Sequence, residues 1–138
     1  MIIDGNKLIL GRVASVVAKK AFDGEFVIIV NCEKMIVTGS RKFLLNKFKE
    51  RQDKGHPYHG PFLPKMPDRL VKRVIRGMLP YKKERGRNAL KKVMCYIGIP
   101  EKYKTQKFEI IRSADYSKLK TLNFMSISEY SKYYGKKI

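Results

Sequence analysis

The sequence predicts an α/β fold: a small, mainly parallel sheet of about four strands flanked by helices on both faces, with a basic helix-loop-helix segment and an irregular C-terminal tail. Three observations carry this reading. Residues 26–30 read FVIIV, a continuous apolar and mostly β-branched run that suits a strand buried on both faces. Stretches with helical spacing precede and follow such runs, so helix and strand alternate. A chain of 138 residues with 43% hydrophobic content is long enough for one domain with a true core, expected over about residues 1–100, with 101–138 as the tail.

The elements follow in order. Ile2-Ile3 and Leu8-Ile9-Leu10 are short apolar runs around the polar turn Asp4-Gly5-Asn6, and one of them forms a first strand. Gly11-Arg12 leads into a helix over 13–22, with Val13, Val17 and Ala21 on one face. Asp23-Gly24 stops that helix. After FVIIV, a short connection over 31–34 precedes a strand at Met35-Ile36-Val37. Thr38-Gly39 breaks it, and Ser40 caps a basic amphipathic helix from Arg41 to about Lys54. Residues 54–67 hold too many Gly and Pro for regular structure, and a loop of about a dozen residues in a compact domain is usually functional or disordered. The rings of His56, Tyr58 and His59 argue against simple disorder.

Residues 60–92 are the most informative stretch. Arg69, Lys72, Arg73 and Arg76 fall at i, i+3, i+4 and i+7, so they share one face of a helix. Leu70, Val71, Val74, Ile75, Met78 and Leu79 cover the opposite arc, as packing on a core requires. Asp68 reads as the N-cap and Pro80 as the stop. Lys82, Lys83, Arg85 and Arg87 then follow in a loop with Gly86, and a second helix starts near Arg87. Residues 93–97 read as a strand, 108–111 and 124–127 as short strands, and 128–134 as a last helix capped by Ser128.

The charge is the feature that points outward. The chain has 31 Lys+Arg against 12 Asp+Glu, a net charge of +19. Residues 1–40 hold five basic and four acidic side chains, residues 41–92 hold 17 and four, and residues 93–138 hold nine and four. The first part reads as scaffold and the middle as the working surface. Four cations on a face without an acid repel one another unless a polyanion compensates them. A membrane is excluded as that polyanion, because no long Lys-rich amphipathic helix with aromatic anchors and no run of membrane-spanning length occurs. The start, MIIDGNKL, lacks a basic region followed by an apolar stretch, so a cytoplasmic protein without a secretory signal is expected. Cys32 and Cys95 lack CxxC spacing and are expected to be reduced, buried thiols.

Enzymatic and metal chemistry find little support. Gly11-Arg12 and Thr38-Gly39-Ser40-Arg41 each join a strand to a helix, yet neither matches a nucleotide-binding motif, so they read as turn and capping chemistry with no cofactor and no small-molecule substrate. Arg12 and Arg41 can still reach nucleic acid from those helix ends. His56 and His59 have HxxH spacing but no Cys or acid beside them, and no metal is expected. The acidic residues are dispersed and no nucleophile motif stands out, so no catalysis is expected. Nucleic-acid binding remains. Charge spread over helix, loops and tail favours structured RNA over DNA, with His56, Tyr58 and His59 stacking or hydrogen-bonding on it. The rivals are a free RNA-binding regulator of the same fold and, behind it, a nucleic-acid enzyme.

The segments DGNKLILGRVASVVAKKAFDGEFVIIVNCEKMIVTGSRK, GHPYHGPF, RGMLPYKKERGRNALKK and CYIGIP, in that order, resemble the universal large-subunit ribosomal protein thirteen family. The match covers about residues 2–100, and 101–138 match weakly. The GHPYHGPF loop resembles the archaeal and eukaryotic branch. The resemblance implies an α/β fold with a small parallel sheet, binding to 23S-type large-subunit rRNA, early entry into subunit assembly, neighbouring large-subunit proteins as partners, and no catalysis. It carries RNA contact to Arg12, Arg41, Lys42, Arg69, Arg73, Arg76, Lys82, Lys83, Arg85 and Arg87, with the loop over 55–62 as a second site. Lys65 and Lys72 complete the expected cationic set.

Overall fold

The computed structural model describes residues 1–56 and 58–133. Pro57 in the aromatic loop, and Tyr134 at the expected end of the last helix, lie outside the described residues.

Strand β1 (Ile2–Asp4) is followed by helix α1 (Leu10–Asp23) and strand β2 (Val27–Val30). Of the two early apolar runs, the first forms the strand. Of the second, Leu10 opens α1, which begins three residues before the expected start, while Leu8 and Ile9 make single bridges to Asp115 and Ile36. Gly24 closes α1 at φ 105°, and its amide donates to the carbonyls of Ala21 and Lys20. Only glycine takes that left-handed geometry without strain. A 3-10 turn (Cys32–Lys34) leads to strand β3 (Ile36–Thr38) and helix α2 (Arg41–Gln52), which ends two residues short of expectation. Ser40 does cap α2, its hydroxyl accepting from the Phe43 amide at 3.3 Å. Helices α3 (Pro67–Gly77) and α4 (Glu84–Lys91) then lead to strand β4 (Val93–Cys95). Strand β5 (Phe124–Ser126) and helix α5 (Ile127–Tyr133) complete the described chain.

The parallel sheet has the order β1-β2-β4, one strand fewer than expected. Strands β3 and β5 instead pair with each other, antiparallel. The stretch expected as a strand over 108–111 makes a single parallel bridge, Glu109 to Ile3. Both parallel connections are crossovers, and the core lies over the sheet where α1 packs on α3 and on α4. The row Ile3, Ile29 and Cys95 faces this core. Val13, Val17, Val71, Ile75 and Val93 meet it there, all fully buried. In the adjacent row Ile2 and Ile28 are half-buried and Met94 is 42% exposed.

The tail is irregular, as expected, yet it is sewn into the core. The Ile9 amide donates to Ala114, the Gly39 amide to Asn123 and the Ile127 amide to Met35, at 2.7, 2.9 and 2.9 Å. Ala114, Met125 and Ile127 are buried. Cys32 and Cys95 are free thiols, the first buried and the second half-buried. The Cys32 thiol donates to the Ile29 carbonyl at 3.6 Å. The Cys95 side chain beside it, and then burial, push its pKa far above the ordinary thiol range.

Candidate nucleic-acid interface

Helix α3 is positioned by its apolar side. Val71, Ile75 and, just beyond the helix, Leu79 are buried, while Leu70 and Val74 pack half-buried against the same core. Met78, expected on this arc, is 45% exposed because it sits at the C-cap, past the last turn. The cap at the other end also differs. Met66 occupies the N-cap position in an extended conformation, Pro67 fills the first turn, and Asp68 lies inside the helix. Proline suits that first position, where its missing N–H satisfies no intrahelical bond anyway. The Asp68 carboxylate complements the helix dipole instead of capping, and its Oδ1 is buried with no hydrogen-bond partner among the described residues.

The four cations of α3 are not equivalent. Arg69 and Arg76 are exposed, whereas Lys72 and Arg73 are half-buried. Arg76 holds its guanidinium 5.1 Å from the centre of the Tyr81 ring. Arg73 lies on the border of the face and lines a cleft between α3 and α2.

Lys82 and Lys83 are exposed in the connection, as expected. Arg85 and Arg87 are not in a loop, because α4 starts at Glu84. The cause is Gly86. It is buried in the first turn of α4, and a Cβ there would run into the Pro80 carbonyl. This glycine permits close approach of helix and chain; it does not mark a turn. Arg85 reaches back across α1, its guanidinium 4.1 Å from the centre of the Phe22 ring.

The remaining expected residues are scattered around this centre. Arg12, in the first turn of α1, donates through Nη1 to the Ser113 carbonyl at 3.0 Å, which ties it to the tail. Arg41 and Lys42 stand exposed in the first turn of α2. In the loop, His56 organises its neighbours: its Nδ1 accepts from the Tyr58 amide at 3.3 Å, and its carbonyl accepts from the amides of His59 and Gly60. The rings of Tyr58 and His59 stand 5.6 and 6.0 Å from that of His56, and Tyr58 is 81% exposed. Lys65 is exposed, and its carbonyl accepts a hydrogen bond from the buried Ser131 hydroxyl of α5.

The electrostatic state of this surface is the central fact. Among the described residues the ion pairs are Lys20–Glu25 and Lys104–Glu101, at 3.6 and 3.9 Å. Neither involves a cation of α2, α3 or α4. Sequence reasoning missed two contributors, Lys47 and Arg51 of α2, which line the cleft opposite Arg73. Their i, i+4 spacing on a helix was the available signal.

A small crossover α/β core thus carries a surface of cations that, among the described residues, form no ion pairs with carboxylates, which defines a class: a basic α/β protein built to face a polyanion. The chain belongs to the ribosomal protein L13 family, whose model matches residues 1–102. It is similar to the large ribosomal subunit protein uL13 of Methanosarcina barkeri, 43% identical over 137 residues, which is 99% of this chain and 98% of the relative. The uL13 proteins of Archaeoglobus fulgidus and Haloarcula marismortui are 38% and 40% identical, covering 97% and 98% of this chain and 86% and 90% of their own lengths. These relatives are archaeal, in keeping with the branch that the GHPYHGPF loop suggests. They align along nearly the whole chain, so the residues beyond 102 have counterparts as well. Membership of this family makes the chain a ribosomal protein and not an enzyme.

Proposed function

We propose that this protein is a structural constituent of the large ribosomal subunit in the cytoplasm, where it binds 23S-type rRNA and aids assembly beside neighbouring large-subunit proteins. The observation that carries the reading is the uncompensated cationic surface held rigid by the core. Arg69, Lys72, Arg73 and Arg76 of α3 neutralise phosphates where rRNA segments converge, and Lys82, Lys83, Arg85 and Arg87 extend the contact. Arg12, Arg41, Lys42 and Lys65 add peripheral contacts. His56, Tyr58 and His59 offer rings to unpaired bases. Contacts of this kind position RNA strands without reading a base sequence.

The test replaces the two exposed arginines of α3. Arg69→Glu with Arg76→Glu should leave the circular dichroism and the unfolding midpoint near those of the wild type. It should weaken binding to a large-subunit rRNA fragment and lower the slope of log affinity against log salt by about 1.5, since two phosphate contacts go. An unchanged slope would remove the phosphate contacts from α3. In a high-salt sucrose gradient the native protein should travel with the large subunit and be released by ribonuclease.

A further inference from the structure

Beside the phosphate-facing side of α3 lies a cleft of about 380 Å³. Its apolar walls include Leu44 and Phe48 of α2 and Leu70 and Val74 of α3. Phe48 meets Tyr130 of α5 edge-on there, with ring centres 4.8 Å apart. Three cations frame it, Lys47 and Arg51 from one helix and Arg73 from the other, and the described lining residues include no carboxylate. Lys47 and Arg51 are exposed, so their charges stand at the mouth.

From this arrangement we propose that the cleft receives one unpaired nucleotide of the bound RNA, its base between the apolar walls and its phosphate among Lys47, Arg51 and Arg73. The inference rests on the RNA-binding reading above and adds a specific subsite to it. Size and charge select the occupant. The volume lies at the small end of ligand pockets, about 300–1,000 Å³, which admits a nucleotide and excludes a helix or a hairpin. The occupant must be apolar on its faces and anionic at one end, and every nucleotide is built that way. The cleft is also continuous with the cationic face, since Arg73 belongs to both. Phosphates on either side of an extruded nucleotide would therefore meet Arg69, Lys72 and Arg76. Recognition of RNA through bases splayed out of a helix is the ordinary route to selectivity, because the deep groove of a duplex is closed to side chains.

Gly77 supplies a direct test. It lines the cleft at the end of α3, and a Cβ at that position would meet nothing within 4 Å. Gly77→Phe therefore obstructs the cleft without a clash at the backbone. The probes are a short RNA hairpin whose stem carries one bulged 2-aminopurine and the same hairpin without the bulge. The wild type should bind the bulged hairpin about tenfold more tightly, as insertion of one base against an aromatic and apolar site implies, with a change in aminopurine emission. Gly77→Phe should abolish this preference and retain the affinity for the plain stem. Lys47→Glu with Arg51→Glu, on the exposed side of α2, should also abolish it, which keeps the test open if the first variant folds poorly. Arg69→Glu with Arg76→Glu should weaken both hairpins by the same factor and preserve the preference.

Equal wild-type affinity for the two hairpins would overturn the nucleotide site and leave the backbone reading intact. So would a preference that survives both cleft variants. Failure of the wild type to bind either hairpin would instead strike the RNA-binding reading itself. If an acidic, phenylalanine-containing peptide binds in a manner that Gly77→Phe abolishes, while no bulge preference exists, the cleft belongs to a protein partner and the proposal fails.

Discussion

Cys32 shows how a single residue inherits its chemistry from its place in the fold. Read alone it is a small hydrophobe, and its burial agrees with that. The structure adds a second thiol next to it, Cys95, and both the contact and the burial raise its pKa. The direction fixes a stability consequence. Below the ordinary thiol pKa the folded and unfolded chains both hold the proton, and the contribution is complete. Above that value the unfolded chain releases a proton that the folded chain retains, so stability falls as pH rises, by at most about 1.4 kcal/mol per pH unit for one proton. Urea unfolding between neutral and alkaline pH should show this decline, and Cys32→Ala should flatten it while lowering the neutral-pH value through the lost packing. A decline of the same steepness in Cys32→Ala would trace it to other groups. For an arginine such as Arg85 the local pattern shows the charge but reads its place as a loop, not as the first turn of α4. That it lies over Phe22 depends on how α4 crosses α1, which no local pattern encodes.

At the scale of elements, legibility followed the locality of the signal. Helix α3 was readable because its apolar and cationic arcs repeat over its 11 residues. The Ser40 cap was readable because it sits three residues from the amide that it accepts from. The start of α4 was not, since Gly86 carries the signature of a turn but answers to close contact with Pro80, six residues earlier. Gly86→Ala tests that account. Added volume in a packed position costs about 1–3 kcal/mol, although alanine is the better helix former in isolation. Denaturation should therefore give a lower midpoint for Gly86→Ala, and a raised midpoint would mean that Pro80 can move aside. The pairing of β3 with β5 was equally invisible, because Ile36 and its partner Ser126 are separated by most of the chain. Periodicity can propose a strand but cannot choose its neighbour.

For the whole molecule the charge of +19 governs the behaviour of the free protein. Among the described residues few carboxylates sit near enough to offset the cations, so the free fold strains against its own field. Added salt should raise the melting temperature of the free protein, because exposed charges are screened within about 8–10 Å at physiological ionic strength. A polyanion such as heparin should raise it further at low salt and lose that effect as salt increases. A melting temperature indifferent to both would show that the repulsion is negligible. The location of the candidate interface was legible at this scale, as the contrast between residues 1–40 and 41–92 shows. The cleft was not, because it arises where α2, α3 and α5 meet.

The stitching of the tail into the core bears on how the protein is made. Synthesis proceeds from the N-terminus, and domains tend to fold in that direction. A nascent chain ending near residue 100 already carries β1, β2 and β4 and the cationic helices α3 and α4. It still lacks Ala114, which receives the Ile9 amide, and β5, which pairs with β3. The cationic surface thus emerges before the fold beneath it can close, and a segment translated later locks it.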